Sequence, residues 1–130
     1  MNLINYKIKM PELKLYWDIQ SQPSRALKAL IDAGDVPHES IHIEIMKGEH
    51  KAEAYKTMNP GGSLPFITID GESLFESAAI LRYLAIEYPS LNQFYPAGNI
   101  LRAKMFSKHD PAFFYLNKKK YFIDIKIRKA

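Results

Sequence analysis

Between residues 13 and 45 the hydrophobic period changes twice, and this limits the fold more than any other feature of the chain. Leu13, Leu15 and Trp17 alternate with Lys14 and Tyr16, the two-residue period of a strand that ends at Asp18. After a loop over residues 19–22, Pro23 suits the first turn of a helix. The run 24–33 then keeps Leu27, Leu30 and Ile31 on one face and stops at Gly34, a natural residue just past a helix end. Ile41, Ile43 and Ile45 next alternate with His42 and Glu44, which gives a second strand over residues 39–45. A strand, a helix and a strand in this order form a βαβ unit with parallel strands and a right-handed crossover.

The remaining elements extend the same sheet. A short helix is expected around residues 52–58, ending before the breaker cluster Asn59-Pro60-Gly61-Gly62. Residues 66–69 and 73–75 flank Asp70-Gly71, a strong hairpin signal, so the sheet is mixed. Ser77 is placed to N-cap a helix over 78–87 that Pro89 stops. That helix is apolar nearly all round apart from Arg82 and Glu87 and calls for cover on two sides. The order β-α-β-(α)-β-β-α defines an α/β sandwich of thioredoxin-like type with a mixed four-stranded sheet. Three regions result: an N-terminal extension over 1–10, the thioredoxin-like domain over 11–90, and a linker with following residues over 91–130.

Charge divides the chain in the same way. The overall balance is +4, yet residues 11–100 carry seven basic and twelve acidic side chains, while residues 101–130 carry nine basic and two acidic ones. The basic character therefore belongs to the ends. With no cysteine in 130 residues, disulfides, thiolate metal sites and thiol catalysis by the protein's own side chains are excluded. The sequence holds no apolar run approaching twenty residues, and Met1–Met10 lacks a cleavage pattern, so a soluble cytoplasmic protein is expected.

Four places carry candidate chemistry, each with an ordinary structural alternative. Ser21 precedes the first helix and suits a cap; His50 sits in a charged loop and suits a solvated surface; Leu64-Pro65 suits the start of an edge strand. The Glu76-Ser77 pair suits the N-terminus of the third helix. Together, however, they fall after strands or at helix starts, at one end of the predicted sheet, where open α/β folds bind ligands. A small anion there would meet two helix dipoles. A metal site is the poorer alternative: His38 and His42 could share a strand face, but no third ligand is evident. No dinucleotide fingerprint, phosphate loop or nucleophile elbow is present.

From about residue 13 to residue 105, the stretches SQPSRAL, KGEH, NPGGSLPFI and ESAAILRYL resemble, in order and spacing, the glutathione-binding half of a glutathione S-transferase. The pattern is similar to that of the theta class, and insect delta and plant phi enzymes share much of it. The resemblance implies that Ser21 donates a hydrogen bond to the glutathione sulfur and holds it as thiolate, with Ser24 as the weaker candidate. It also implies a cis Pro65, with the backbone N–H and C=O of Leu64 facing the cysteinyl part of glutathione. Glu76 is expected to take the γ-glutamyl ammonium and Ser77 its carboxylate; His50, with Lys51 as a helper, is expected to reach the glycyl end. Glutathione would be the co-substrate with no metal. The partners implied are a small hydrophobic electrophile and, at full length, a second copy of the chain, but neither nucleic acid nor membrane.

Family members continue into an all-helical second domain, of which only the linker and the first turns of the opening helix, residues 99–108, would be present. On that view the C-terminal helical domain is truncated, and an exposed patch around Leu81, Leu84 and Ala85 is expected, with low solubility or obligate association. Residues 106–130, rich in Phe, Tyr, Lys, Ile and Asn without clear periodicity, fit a retained intron or frameshift, and Met10-Pro11-Glu12 would be a natural start. The rival reading of Lys118, Lys119 and Lys120 is a nucleic-acid or lipid patch. For the whole chain the readings are a transferase, a glutathione-binding module without catalysis, and a protein-interaction domain.

Overall fold

The computed structural model describes residues 9–94. The expected extension up to residue 8, the helix over 99–108 and the basic tail lie outside the described residues. The described part contains β1 (Leu13–Trp17), α1 (Gln22–Ala33), β2 (Glu39–His42), α2 (Glu53–Met58), β3 (Phe66–Ile69), β4 (Glu72–Phe75) and α3 (Ser77–Glu87). Single 3-10 turns occupy Ile45–Lys47, Glu49–Lys51 and Pro89–Leu91. The sheet order is β2-β1-β3-β4, with β1 parallel to β2 and antiparallel to β3, and β3 antiparallel to β4. This is the thioredoxin-like arrangement that the order of elements implied. No helix among the described residues is long and apolar enough to cross a membrane.

Alternation along β1 distributes its side chains to two cores. Leu13 and Leu15 join Leu27, Leu30 and Ile31 of α1, Ile67 of β3, and Ile80, Leu81 and Leu84 of α3. Tyr16 points the other way, stacking on Phe66 with ring centroids 4.3 Å apart and meeting Tyr55 of α2 edge-on. Each face of the sheet is therefore covered, as a partly parallel sheet requires. Asp70 and Gly71 both have positive φ (48° and 89°), the conformation of a two-residue type I′ hairpin turn.

Several boundaries differ from those expected. β2 ends at His42 rather than at residue 45, because Ile45 opens a 3-10 turn whose N–H is drawn to the Asp18 carboxylate. Gly34 is not the left-handed residue after α1: its φ is −88°, and Asp35 takes that role at 49°. The Asp35 N–H bonds the Asp32 carbonyl (3.1 Å) and the Val36 N–H bonds that of Ile31 (3.0 Å), a Schellman closure centred on Asp35. Gly34 is required for a different reason: a Cβ there would run into Leu91 Cδ2. Glu76, not Ser77, is the N-cap position of α3, and it supplies no side-chain cap.

Among the described residues the expected exposed patch on α3 is absent. Leu81, Leu84 and Ala85 are buried together with Ile80, forming the stripe that packs toward α1 and the sheet. A helix apolar on all sides gives no sequence cue to which stripe faces inward, and here the outward residues are Arg82, Ile86 and Glu87. Ile86 is 65% exposed, whereas Leu84 is at 0%.

Candidate functional site

Strand register gathers the candidate residues. Trp17 lies opposite His42, Tyr16 opposite Phe66, and Phe66 opposite Phe75. The C-terminal ends of β1, β2 and β4 therefore share one end of the sheet with the start of β3. The segment bearing Ser21, the turns bearing His50 and Lys51, the Leu64-Pro65 pair and the Glu76-Ser77 pair all adjoin that end.

Ser21 and Leu64 are in direct contact. The Ser21 hydroxyl donates to the Leu64 carbonyl at 2.9 Å and accepts the Ser24 N–H at 3.3 Å, so Ser21 is also the N-cap of α1. Capping α1 and reaching the Leu64 carbonyl thus fall to the same hydroxyl. The Leu64-Pro65 peptide bond is cis. Ser24 does not share the position: it is at 0% exposure and its Oγ has no hydrogen-bond partner, so it is closed to a ligand from outside.

At the neighbouring corner Glu76 has φ 69° and ψ 110°, a backbone region that L side chains rarely adopt. Such a conformation costs of order 1–3 kcal/mol and clusters at binding and catalytic sites. The first intrahelical bond runs from the Ile80 N–H to the Glu76 carbonyl, leaving the amides of residues 77–79 at the helix start without a side-chain cap. The Glu76 side chain is exposed and Ser77 is half-buried beside those amides.

His50 and Lys51 stand further out, in the second 3-10 turn. Gly48 between the two turns has φ 72°, which a residue without Cβ adopts freely. The His50 Nδ1 is buried without a hydrogen-bond partner, while Lys51 is exposed. Neither side chain bonds to Ser21, Glu76 or Ser77 among the described residues. His38 and His42 face different carboxylates and so do not form a ligand pair. His38 Nδ1 donates to the Val36 carbonyl (2.8 Å) with Nε2 3.9 Å from Asp32, and His42 Nε2 donates to Asp18 at 3.2 Å. No group of three or more metal-ligating side chains comes together among the described residues.

Sequence reasoning missed Asp18, treating it as the end of a strand. Its side chain is only 4% exposed and accepts the N–H groups of Ile45 (2.7 Å) and Gln20 (3.2 Å) as well as His42. Burial pushes its pKa up, but the Ile45 and Gln20 amides and His42 outweigh that and hold it below the usual carboxylate value. Beside it Trp17 donates its indole N–H to Ser40 Oγ at 2.8 Å, with Lys28 Nζ 5.6 Å and the His42 ring 5.7 Å from the indole ring.

A thioredoxin-like domain with a hydroxyl, a cis-proline carbonyl and an uncapped helix start at one sheet end is the class that fold and site define. The family model for the glutathione S-transferase N-terminal domain matches residues 11–86, and the chain belongs to that family. It is 37% identical over 93 residues to the rat protein named glutathione S-transferase theta-1, covering 72% of this chain and 39% of that one. It is 44% identical over 79 residues to glutathione S-transferase F9 of Arabidopsis thaliana, covering 60% and 36% respectively. Among solved structures, human glutathione transferase theta-2 in complex with glutathione and an unknown ligand superposes with a TM-score of 0.69 at 34% identity. That match covers 73% of this chain and 39% of the human one. The chain thus spans about two fifths of the length of these relatives.

Proposed function

We propose that this protein is a theta-like glutathione transferase that binds glutathione and stabilises its thiolate for attack on small hydrophobic electrophiles. The observation that carries the reading is the Ser21 hydroxyl bonded to the Leu64 carbonyl at 2.9 Å, beside the cis Pro65 and at the start of α1. A hydroxyl donor and the positive end of a helix both favour S⁻ over SH, lowering the thiol pKa and raising the nucleophilic fraction. Ser21 has one proton, so donating to sulfur requires releasing the Leu64 carbonyl, which is then free to meet the cysteinyl N–H. The thiol proton leaves to solvent, and the sulfur lone pair forms the bond to carbon as the electrophile's leaving group departs or its double bond opens. Ser21 is neither base nor nucleophile.

The remaining contacts are assigned on the same reading. The uncapped amides of residues 77–79, with the Ser77 hydroxyl, fit the γ-glutamyl carboxylate, and Glu76 fits its ammonium. His50, with Lys51 as a helper, takes the glycyl carboxylate. On this reading the protein works in the cytoplasm in electrophile detoxification and pairs with a second copy at full length.

Retention on immobilised glutathione tests the binding half of the reading. It is expected for the wild type and lost in Glu76→Ala and Ser77→Ala. A folded wild type that is not retained would overturn it. Conjugation of a generic aromatic electrophile tests the chemical half: Ser21→Ala is expected to lose more turnover than glutathione affinity, because the hydroxyl acts chiefly on the thiolate. Binding without conjugation would instead make the protein a glutathione-binding module.

A further inference from the structure

We propose that Asp18 is a positioning residue that couples the two arms of the site, so that the Ser21 arm and the His50 arm are set by one carboxylate. This rests on the reading of Ser21 and His50 as glutathione contacts.

On one side, Asp18 Oδ1 accepts the Gln20 N–H at 3.2 Å, and the Asp18 carbonyl accepts the Ser21 N–H at 3.1 Å. These two bonds fix the tight turn that delivers Ser21 to the start of α1. On the other side, Oδ2 accepts the Ile45 N–H at 2.7 Å, the shorter bond expected of a charged acceptor. Ile45 opens the turns that carry His50, and those turns are braced internally. Gly48 N–H bonds the Ile45 carbonyl (2.9 Å), Lys51 N–H bonds that of Gly48 (3.0 Å), and Glu44 N–H bonds Glu49 Oε2 (2.7 Å). The braced arm is thus joined to the end of β1 through the Asp18 carboxylate. His42 Nε2 shares Oδ1 from the solvent side at 3.2 Å and orients the carboxylate from the end of β2.

The chemistry requires two acceptor oxygens. In an asparagine one of them becomes an NH2 group, which cannot accept. Whichever way the side-chain amide of Asp18→Asn turned, either Ile45 or the pair Gln20 and His42 would face an NH2 group, and rotating the amide out of that donor–donor clash releases the other arm as well.

The test compares the wild type with Asp18→Asn, Ser21→Ala and His50→Ala, using glutathione affinity and the ionisation of the bound thiol followed by thiolate ultraviolet absorbance. Ser21→Ala is expected to move mainly thiol ionisation and His50→Ala mainly affinity. Asp18→Asn is expected to move both, with affinity falling roughly tenfold, the scale of a lost hydrogen bond to a charged group. General destabilisation alone would lower the melting temperature while leaving the thiol of the folded fraction unchanged. A folded Asp18→Asn with either readout at the wild-type value overturns the proposal.

Amide hydrogen exchange provides a measurement that needs no glutathione. In Asp18→Asn the amides of Gln20, Ser21 and Ile45 are expected to exchange faster together, and loosening of only one arm overturns the coupling. A wild type that fails to bind glutathione while its arms loosen together in Asp18→Asn would therefore sink the functional reading and leave the coupling standing. If Asp18→Asn does not fold, His42→Ala is expected to move exchange in both arms and His42→Gln, which keeps a donor, to restore it; failure of either overturns the proposal.

Discussion

Ser21 has a structural role and a proposed chemical one, and two substitutions at that position separate them. As N-cap of α1 it accepts the Ser24 N–H, and as donor it satisfies the Leu64 carbonyl. Removing a serine cap in favour of alanine costs about 1 kcal/mol, whereas glycine at the same position costs only a few tenths. The bond to Leu64 adds about 0.5–1.5 kcal/mol and is lost in both variants. Ser21→Ala should therefore be destabilised by about 1.5–2.5 kcal/mol, and Ser21→Gly by about 0.7 kcal/mol less. For a domain of this size that difference corresponds to about 3–6 °C in melting temperature. Thermal unfolding followed by circular dichroism measures it, and the same samples give the ionisation of bound glutathione. The expected result is two different melting temperatures and one shared loss of thiolate stabilisation. A Ser21→Gly protein that melts no higher than Ser21→Ala would refute the capping role, and one that keeps the thiolate would refute the chemical role.

Three further outcomes follow from packing and charge. Leu84→Ala should cost about 2–5 kcal/mol in urea unfolding, while Ile86→Ala stays within about 0.5 kcal/mol; equal losses would mean that α3 buries a different stripe. Gly34→Ala should be destabilising, because overpacking costs about 1–3 kcal/mol against about 0.4–1 gained by removing glycine, and Leu91→Ala in the same chain should relieve the overpacking. Asp18 has a folded pKa below its unfolded one, so it contributes stability that is present above the unfolded value of about 3.9 and lost as pH falls through the folded value. Urea midpoints measured against pH should show that acid loss in the wild type and a smaller one in Asp18→Asn; identical profiles would refute it.

Much of this fold is written in local pattern. The alternation of Leu13, Leu15 and Trp17, the Pro23 start of α1 and the Asp70-Gly71 turn each act within a few residues, where periodicity and turn chemistry decide the outcome. What escaped depends on distant partners. Ile45 looks like the last residue of an alternating strand until its N–H finds Asp18, 27 positions away. Leu81, Leu84 and Ala85 sit on a helix whose sequence is apolar all round, so only contact with α1 and the sheet selects the buried stripe. Of the candidate site, the joint spacing of Ser21, His50, Leu64-Pro65 and Glu76-Ser77 was legible, and the register brings their segments to one sheet end. The strained backbone of Glu76 and the shared carboxylate of Asp18 were not, since neither leaves a signature in spacing.

Trp17 gives the site an optical reporter. It is the single tryptophan of the chain, so indole emission has one source, and that source lies one residue from Asp18 with Ser40, Lys28 and His42 around it. Any event that shifts the end of β1 or the His42 ring changes the surroundings of one fluorophore. Ligand titrations can therefore be followed in the unlabelled chain.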